Sequence, residues 1–387
     1  MSNKPSVCLV SFDFPPLEGG ISRLCAAIVD ELVERSVPVS VISREVTASE
    51  SAFESPKTTE FRVAAQRGKA EWQLFNRLRR FHRDDIVITG VWYPEALMAK
   101  LAGCRRVAVL AHGNEIMQGS PSVKNRILSS LRKTILCSAD LVVANSHYTA
   151  DLVSAQVNAA VEVATLGVDH QRFVPLNALQ KISARQHFGL PDNKFLILTT
   201  SRVEAYKGHD VVLKAIANLP QAIKSTVHYC IAGRGEHLAE LKAQASALAI
   251  QSQVTFLGFV EEPDLATLYG CADSFIMCTR EQKAAKQVEG FGLVFLEAQA
   301  CGTLTIGTRQ GGIVDAIEDN NGGFLIDRDD DAGLTRQIEQ LVKSPSLCSE
   351  QGMMARQRIE KEATWQHYGE RVATLLNQYF GDKDESS

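Results

Sequence analysis

The chain has 387 residues, of which 45% are hydrophobic and 22% charged, with 26 glycines and 12 prolines. This composition is typical of soluble globular proteins and excludes collagen-like and disordered chains, and the length favours two domains. The net charge of -4 argues against a dedicated nucleic-acid binder, although residues 1–180, with 20 basic and 18 acidic side chains, are slightly basic.

Short apolar runs rich in β-branched residues alternate with amphipathic helical patterns along the chain, which predicts βα units around parallel sheets. The first series of predicted strands comprises residues 6–12, 38–43, 85–89, 106–111, 141–145 and 161–166, with helices that include 21–34 and 123–137. The second comprises strands 195–201, 227–232, 254–258, 274–278, 304–307 and 323–326, with helices that include 209–218, 238–248, 295–300 and 334–342.

The stretch between the two series, residues 167–178, has no periodicity and is the predicted linker. We therefore predict an α/β protein with two doubly wound parallel-sheet domains of Rossmann type, residues 1–175 and 176–363. Ligands of such sheets bind beyond the carboxyl ends of the strands, so a ligand shared by both domains is expected between them. Motifs that directly follow predicted strands are therefore the candidate site.

Nine cysteines form no C-x-x-C pair, and their odd number favours reduced thiols in the core. The N-terminal residues run directly into a short strand without the longer apolar region of a signal peptide, and no apolar stretch reaches 18 residues. We expect a cytoplasmic protein, with contact to the inner face of a membrane left open.

A pair of glycines, Gly19 and Gly20, lies between the first strand and the first helix. Adjacent glycines let backbone N–H groups approach a phosphate, and a helix N-terminus favours negative charge. A tight turn without any ligand explains the same pair equally well.

Two cations, Arg202 and Lys207, follow the first strand of the second domain. Five residues apart at a strand end, they are able to converge on one diphosphate. Most surface Arg and Lys side chains are merely solvated, so the pair alone does not define a site.

The segment VEGFGLVFLEAQACG is the most informative, because it carries Glu289 in a glycine-containing loop and Glu297 in the following helix. Eight residues of helix span about 12 Å, which suits one carboxylate on a donor sugar and one on the ribose. The helix is predicted to begin with its N-terminus toward a diphosphate, with the backbone amides of Phe291, Gly292, Leu293 and Val294 at that end.

In this order, Gly19-Gly20, Arg202 with Lys207, Glu289 with Glu297, and Gly311-Gly312 resemble the retaining glycosyltransferases of the GT-B fold, in particular the glycogen-synthase-like and lipid mannosyltransferase-like family. The resemblance covers almost the whole chain and is strongest over residues 196–326. Shorter similarities lie at AHGNE, NSHYTADLV, LGVDHQRFVP, IAGRGEH and VTFLGFVEEPDLATLYGCAD.

The resemblance implies a role for each matching residue. Glu289 would hold donor-sugar hydroxyls, Glu297 the ribose, and Arg202 with Lys207 the leaving diphosphate, while His112 would contact the reacting sugar. The remaining donor-binding positions are backbone positions, namely Gly19, Gly20, Gly233, Gly258 and residues 291–294. The last segment, residues 364–387, resembles the family's final helix, which packs on the first domain with Trp365 and Tyr368 as anchors.

The family pattern is not complete, since Thr303 and Leu304 follow Cys301-Gly302 where a Pro is common, and Asp315 stands where a Glu is frequent. We expect transfer of a hexose with retention and without a metal or cofactor, because protein charge stabilises the leaving diphosphate. The acidic run at Asp327 and Asp329–Asp331 is interpreted as a solvated, helix-capping loop rather than a cation site.

The acceptor, a glycan or a lipid-linked sugar in polysaccharide, lipopolysaccharide or glycolipid synthesis, is expected on the first domain. The basic residues there are Arg77, Arg79, Arg80, Arg83, Lys124, Arg126, Arg132 and Lys133, next to Ile127, Leu128, Leu131 and Ile135. Such a surface is able to contact an anionic membrane, although most such helix faces are only solvated. The segment EQKAAKQ resembles the branch of the family that includes lipid mannosyltransferases, and this resemblance implies GDP-mannose as donor.

Other interpretations stay open. A sugar-nucleotide epimerase or a sugar phosphorylase would use the same two-domain architecture. A nicotinamide oxidoreductase is disfavoured because no strand is followed by G-x-G-x-x-G. A periplasmic sugar-binding protein would carry a secretion signal.

Overall fold

The structure is a computed structural model that describes residues 6–17, 19–45, 58–82, 84–117, 122–282, 285 and 287–381. The chain forms two compact units: unit 1 comprises residues 1–167 and 365–387, and unit 2 comprises residues 168–364. No helix within the described ranges is long and apolar enough to cross a membrane.

Unit 1 is built on a seven-stranded parallel sheet in the order β3-β2-β1-β4-β5-β6-β7. The strands are β1 Val7–Val10, β2 Val39–Arg44, β3 Thr58–Val63, β4 Ile86–Thr89, β5 Arg106–Ala111, β6 Leu141–Ala144 and β7 Val161–Val163. The helices are α1 Gly20–Glu34, α2 Lys69–Leu78, α3 Leu97–Leu101, α4 Val123–Ser138 and α5 His147–Ser154, with α15 Trp365–Phe380 from the C-terminus. The strand order reverses direction between β1 and β4.

Unit 2 is built on a six-stranded parallel sheet in the order β10-β9-β8-β11-β12-β13. The strands are β8 Phe195–Thr200, β9 Val227–Ala232, β10 Val254–Gly258, β11 Ser274–Met277, β12 Leu304–Thr308 and β13 Gly323–Ile326. The helices are α6 Ala178–His187, α7 His209–Ala217, α8 Gln221–Lys224, α9 Leu238–Ala247, α10 Glu262–Cys271, α11 Leu293–Ala300, α12 Ile313–Ala316, α13 Asp331–Lys343 and α14 Pro345–Glu362.

Strands β1, β4, β9 and β11 are buried at every position, because helices cover both faces of a doubly wound sheet. All nine cysteines are unpaired, and seven of them are buried. The predicted α/β class with two parallel sheets is therefore confirmed, and β5, β9, β10 and β13 have the predicted bounds. The edge strand β3 was missed, since its mixed TTEFRV pattern lacks the apolar run of an inner strand.

The segment before α6 was placed in the first domain from the sequence, but its contacts lie in unit 2. Arg172 pairs with Glu262 at 2.6 Å, and the Phe173 ring packs edge-on against Tyr269. The buried Arg356 donates hydrogen bonds to the carbonyls of His170, Phe173 and Ala300. These contacts hold residues 168–175 on unit 2, although the segment has no periodic pattern of its own.

The C-terminal helix α15 packs on α1 of unit 1, as the family resemblance implied. A Cβ at Gly369 would lie 2.6 Å from the Cβ of Glu31, so only glycine permits this close approach. Tyr368 is buried, and its ring contacts the half-buried Trp365.

Candidate active site

Arg202 and Lys207 lie on one loop after β8 but in different environments. The Arg202 side chain is 67% exposed, and its Nη1 lies 2.6 Å from a Glu204 carboxylate oxygen. The Lys207 side chain is only 11% exposed. The first cation is therefore open to a ligand from solvent, and the second is fixed inside the loop.

The Lys207 ammonium donates a hydrogen bond of 2.7 Å to Glu289, which lies in the loop after β11. Burial by itself lowers the pKa of Lys207, but attraction to Glu289 more than offsets it, so the pKa is raised above the usual lysine value. The side chain therefore stays charged at neutral pH. The structure thus brings together two predicted site residues that are 82 positions apart.

Two glycines, Gly311 and Gly312, allow their backbone to lie in close contact with the loop that carries Glu289. A Cβ at Gly312 would lie 2.0 Å from the carbonyl oxygen of Gly290, and one at Gly311 would lie 2.6 Å from that of Glu289. The Gly312 N–H donates to the Glu289 carbonyl at 2.9 Å. Gly311-Gly312 therefore packs against and hydrogen-bonds the backbone that carries Glu289, which is a physical reason for the two glycines.

Helix α11 begins at Leu293, two residues before the predicted start, with Gly292 as its left-handed N-cap at φ 98°. No side chain caps this end in the part of the chain that is described, so the first-turn amides point out of the helix without a side-chain acceptor. Phe291 and Gly292 themselves lie in the loop, as required for an anion site at a helix N-terminus.

Glu297 is only 6% exposed and lies within α11. It accepts a hydrogen bond of 2.8 Å from the Tyr269 hydroxyl, whose oxygen lies 2.5 Å from Thr200 Oγ1. Burial raises the pKa of Tyr269 well above its usual value, so the phenol keeps its proton and remains the donor. Because half of the segment 289–297 is loop, the predicted spacing of a continuous helix does not apply.

Gly233 and Gly258 are joined at the ends of β9 and β10, where the Gly233 N–H donates to the Gly258 carbonyl at 2.6 Å. A Cβ at Gly233 would lie 1.9 Å from the Ser201 carbonyl oxygen, so glycine lets this loop contact the loop of Arg202. Beside them lies a polar groove of about 680 Å³, lined by Arg202, Glu204, Ala205, Arg234, Gly235, Glu236, His237, Glu240 and Gln287.

In unit 1, Gly19 is the N-cap of α1 at φ 142°, and Gly20 is the first residue of the helix. No heavy atom of the described chain lies within 4 Å of a Cβ built at Gly19, so local crowding is not what requires glycine there. The positive φ, which L side chains rarely adopt, is the local reason. The neighbouring Glu18 lies outside the described residues.

His112 follows β5, and its Nε2 donates a hydrogen bond of 2.7 Å to the Gly90 carbonyl. Its backbone N–H donates to Glu115, and its carbonyl accepts from Asn145. The ring is thereby fixed at the end of β5, half-buried, with Nε2 used in a structural contact.

A buried carboxylic acid that the sequence analysis missed, Glu95, joins the ends of β1 and β4. It is 2% exposed and accepts hydrogen bonds from the backbone N–H of Phe12 at 2.8 Å and of Val91 at 3.0 Å. Burial raises the pKa of Glu95 to about 8, against the opposing effect of these amide donors. The detectable signal was a single acid in the apolar stretch VWYPEALMA.

The predicted basic surface of unit 1 is smaller than the sequence suggested. Arg132 is 4% exposed and donates to the carbonyls of Glu115 and Met117 and to the Gln156 side chain. Ile135 is also buried in the core. The exposed basic and aliphatic side chains of α4 are Val123, Lys124, Arg126, Ile127 and Lys133. In α2 and directly after it, the exposed basic and aromatic side chains are Lys69, Trp72, Arg79 and Arg80. Arg83 and three residues of EQKAAKQ lie outside the described residues.

The acidic run acts as the predicted helix-capping loop. Asp330 accepts the Gly333 N–H at the start of α13, and Asp329 pairs with Arg280 and Arg328. Over the described ranges, no group of three His, Cys, Asp or Glu side chains is arranged to hold a metal ion.

Family models and known proteins match both units of this chain. The model of the Glycosyl transferases group 1 matches residues 180–358, and that of Glycosyltransferase Family 4 matches residues 18–172. A GDP-mannose-dependent alpha-(1-6)-phosphatidylinositol monomannoside mannosyltransferase from Mycolicibacterium smegmatis is 30% identical over 95% of this chain and 97% of its own length. A GDP-mannose-dependent mannosyltransferase for the monoacylated form of that lipid, from Corynebacterium glutamicum, is 29% identical over 97% and 99%.

Solved structures show the same fold. Anabaena HepE in complex with UDP superposes with a TM-score of 0.77 at 18% identity, covering 96% of this chain and 100% of that one. A glycosyltransferase from Rickettsia africae gives 0.77 at 18% identity, covering 98% and 100%. The fold is GT-B, and the chain belongs to the group 1 glycosyltransferases. It is a glycosyltransferase, and the epimerase and phosphorylase alternatives are not favoured.

The raised pKa of Glu95 predicts an unusual pH dependence of stability. The folded state holds this proton up to about pH 8, whereas an unfolded glutamate releases it near the usual pKa of 4.5, so this group's contribution to stability falls as pH rises between the two. Glu95→Gln removes the titrating group. We expect the free energy of unfolding of the wild type, relative to Glu95→Gln, to decrease from pH 5 to pH 8 in urea titrations.

The control for this measurement is Glu350→Gln, which replaces an exposed acid of unit 2. It should leave the pH dependence of the wild type unchanged. The quantity compared is the free energy of unfolding of the wild type minus that of Glu95→Gln. A value that stays constant or becomes more positive from pH 5 to pH 8 would contradict the buried, protonated state of Glu95.

Proposed function

We propose that the chain is a retaining, metal-independent mannosyltransferase that uses GDP-mannose as donor and a mannosylated lipid as acceptor. The observation that carries the chemistry is the Lys207–Glu289 ion pair, which places a fixed cation next to a carboxylate beside the N-terminus of α11. The donor and acceptor classes are supported by the activities of relatives that match nearly the full chain.

The two cations have complementary roles in this proposal. Arg202 is exposed and exchanges its Glu204 partner for the donor diphosphate, for which its planar fork is suited. Lys207 is already desolvated, and its charge stabilises the negative charge that develops as the sugar–phosphate bond breaks. The amides of Phe291 to Val294 and the Gly19-Gly20 loop supply further backbone donors to phosphate.

The carboxylates hold hydroxyl groups of the donor. Glu289, oriented by Lys207, accepts hydrogen bonds from sugar hydroxyls, and Glu297, oriented by Tyr269, accepts them from the ribose. Gly233 and Gly258 let the backbone lie close to the nucleotide. His112, fixed by Gly90, contacts the reacting sugar.

Retention follows in this scheme if the acceptor attacks from the face that the phosphate leaves, with the departing phosphate taking the acceptor proton. The cations Arg202 and Lys207 neutralise that phosphate and make a metal unnecessary. The product is a glycan of the cell surface, or its lipid-linked precursor.

The donor assignment and the stereochemistry are tested together by incubating the protein with GDP-mannose, UDP-glucose and a short mannoside acceptor. We expect consumption of GDP-mannose, an α-linked product by NMR, and undiminished turnover in EDTA. A β-linked product would contradict retention, lost turnover in EDTA would contradict metal independence, and exclusive use of UDP-glucose would contradict the donor.

The role of Glu289 is tested by Glu289→Gln, which keeps the shape of the side chain but removes its charge. We expect kcat to fall on the order of a hundredfold, as on removal of a group that acts in the transition state. The Kd for GDP, measured by calorimetry, should stay the same or decrease, because Lys207 loses a competing carboxylate.

Glu350→Gln is the matched control, since Glu350 is an exposed acid of unit 2 on helix α14. Its kcat should equal that of the wild type. Equal kcat values for both variants would remove Glu289 from the reaction.

We also propose that α4 brings unit 1 to an anionic membrane, as a lipid acceptor requires. Val123 and Ile127 are exposed next to Lys124, Arg126 and Lys133. Apolar and basic side chains on one helix are the combination found in interfacial helices.

The membrane contact is tested with vesicles of equimolar phosphatidylcholine and phosphatidylglycerol at low salt. Because each basic residue contributes about 1 kcal/mol near an anionic surface, Lys124→Glu with Lys133→Glu should weaken binding about tenfold or more. Arg336→Glu with Lys361→Glu, two exposed positions in unit 2, should bind as the wild type. Equal binding by both double variants would contradict docking through α4.

A further inference from the structure

A buried chain of hydrogen bonds runs beneath the loop that carries Arg202 and Lys207. Ser201 Oγ lies 3.0 Å from His209 Nε2, and His209 Nδ1 lies 3.1 Å from the Tyr229 hydroxyl oxygen. That oxygen lies 2.9 Å from Thr199 Oγ1, which in turn bonds to the carbonyl of Ile276. Thr199, His209 and Tyr229 are each at most 1% exposed. This series of hydrogen bonds joins β8, β9 and β11, and none of its residues was predicted to contact a ligand.

The number of available protons determines which group donates and which accepts in each of these hydrogen bonds. A carbonyl only accepts, so the single Thr199 hydroxyl proton goes to Ile276, and Thr199 must accept from Tyr229. Tyr229 has then used its proton and must accept from His209 Nδ1–H. A neutral imidazole carries one proton, so Nε2 accepts from Ser201 Oγ–H.

The opposite tautomer leaves a defect in the interior. With its proton on Nε2, His209 would accept from Tyr229, and Ser201 would donate to the Arg202 carbonyl 3.0 Å away instead. The oxygens of Tyr229 and Thr199 would then face each other at 2.9 Å without a proton between them. A buried group that has lost its water and finds no hydrogen-bond partner destabilises the fold, which selects the Nδ1–H form.

The imidazole is held neutral by its surroundings. Burial, followed by the nearby charge of Lys207, lowers the pKa of His209 to about 3. The ring therefore acts as a fixed hydrogen-bonding element between a serine and a tyrosine, and not as a proton carrier at neutral pH.

Ser201 and His209 flank the loop 202–208, so their hydrogen bond closes the base of the loop. The far side of the loop is held by Arg280, whose backbone N–H donates to Tyr206 and whose Nη1 donates to the Ala205 carbonyl. A Cβ at Gly208 would lie 1.9 Å from the Cys278 carbonyl oxygen, so that end has no freedom either. The hydrogen bond at the base thus joins the two ends of the backbone segment that carries both cations.

We propose that His209, as its Nδ1–H tautomer bonded to Ser201, is a positioning residue that aims Arg202 and Lys207 at one nucleoside diphosphate. This inference rests on the proposed function for its ligand, but its tautomer is observable in the protein alone.

The first experiment is long-range proton–nitrogen NMR on the His209 ring. We expect a protonated Nδ1, a bare Nε2 and no titration between pH 5 and pH 8. In Tyr229→Phe, where Nδ1–H has lost its acceptor, the Nε2–H form should become populated. A wild-type ring protonated on Nε2 would overturn the proposal.

The second experiment measures GDP and UDP affinity by calorimetry for Ser201→Ala and Ser201→Thr. Loss of one hydrogen bond that orients charged groups should weaken binding of the preferred diphosphate about fivefold to tenfold in Ser201→Ala. Ser201→Thr keeps the hydroxyl and should bind as the wild type. Thermal unfolding accompanies both, because a purely structural role would lower the unfolding temperature and leave affinity unchanged.

The two kinds of failure are distinguishable. If the wild type binds neither GDP nor UDP, the proposed function fails, whatever the tautomer. If the wild type binds one of them and Ser201→Ala binds it equally well, only the positioning role of His209 is overturned.

Discussion

The ion pair between Lys207 and Glu289 is the constraint around which unit 2 is arranged. Its two side chains are 11% and 18% exposed, so the attraction between the two charges offsets part of the cost of burying each. Each comes from a loop after a strand, β8 for the lysine and β11 for the glutamate, and these strands are neighbours where the strand order reverses. The pair therefore forms at the point where a doubly wound sheet leaves room for a ligand.

Both units also contain a buried neutral group that holds loops in place through hydrogen bonds. In unit 2 the neutral His209 ties the loop of the cations to the sheet, and in unit 1 Glu95 ties the ends of β1 and β4. Both groups are buried and hydrogen-bonded, and the pKa of each is moved toward the neutral form by burial. A neutral buried group is able to hold backbone in place without the desolvation cost of a charge.

Glycines at the strand ends determine how closely these loops pack. Gly208, Gly233 and Gly312 each meet a neighbouring carbonyl oxygen at a distance where no Cβ fits. Close packing of the loops therefore accounts for these glycines as well as ligand binding does. Arg202 remains exposed and the start of α11 has no side-chain cap, and these are the two features of unit 2 that we propose to bind an anion.

The sequence by itself determined the class of fold and the order of the elements, because inner parallel strands are buried on both faces and read as continuous apolar runs. It also located the charged residues that follow those strands. Only the tertiary structure decided that Lys207 pairs with Glu289, that Glu297 accepts from Tyr269, that Arg132 is buried, and that Glu95 and His209 support the loops. These contacts join residues far apart in the chain, and the packing of helices and strands that creates them leaves no local pattern.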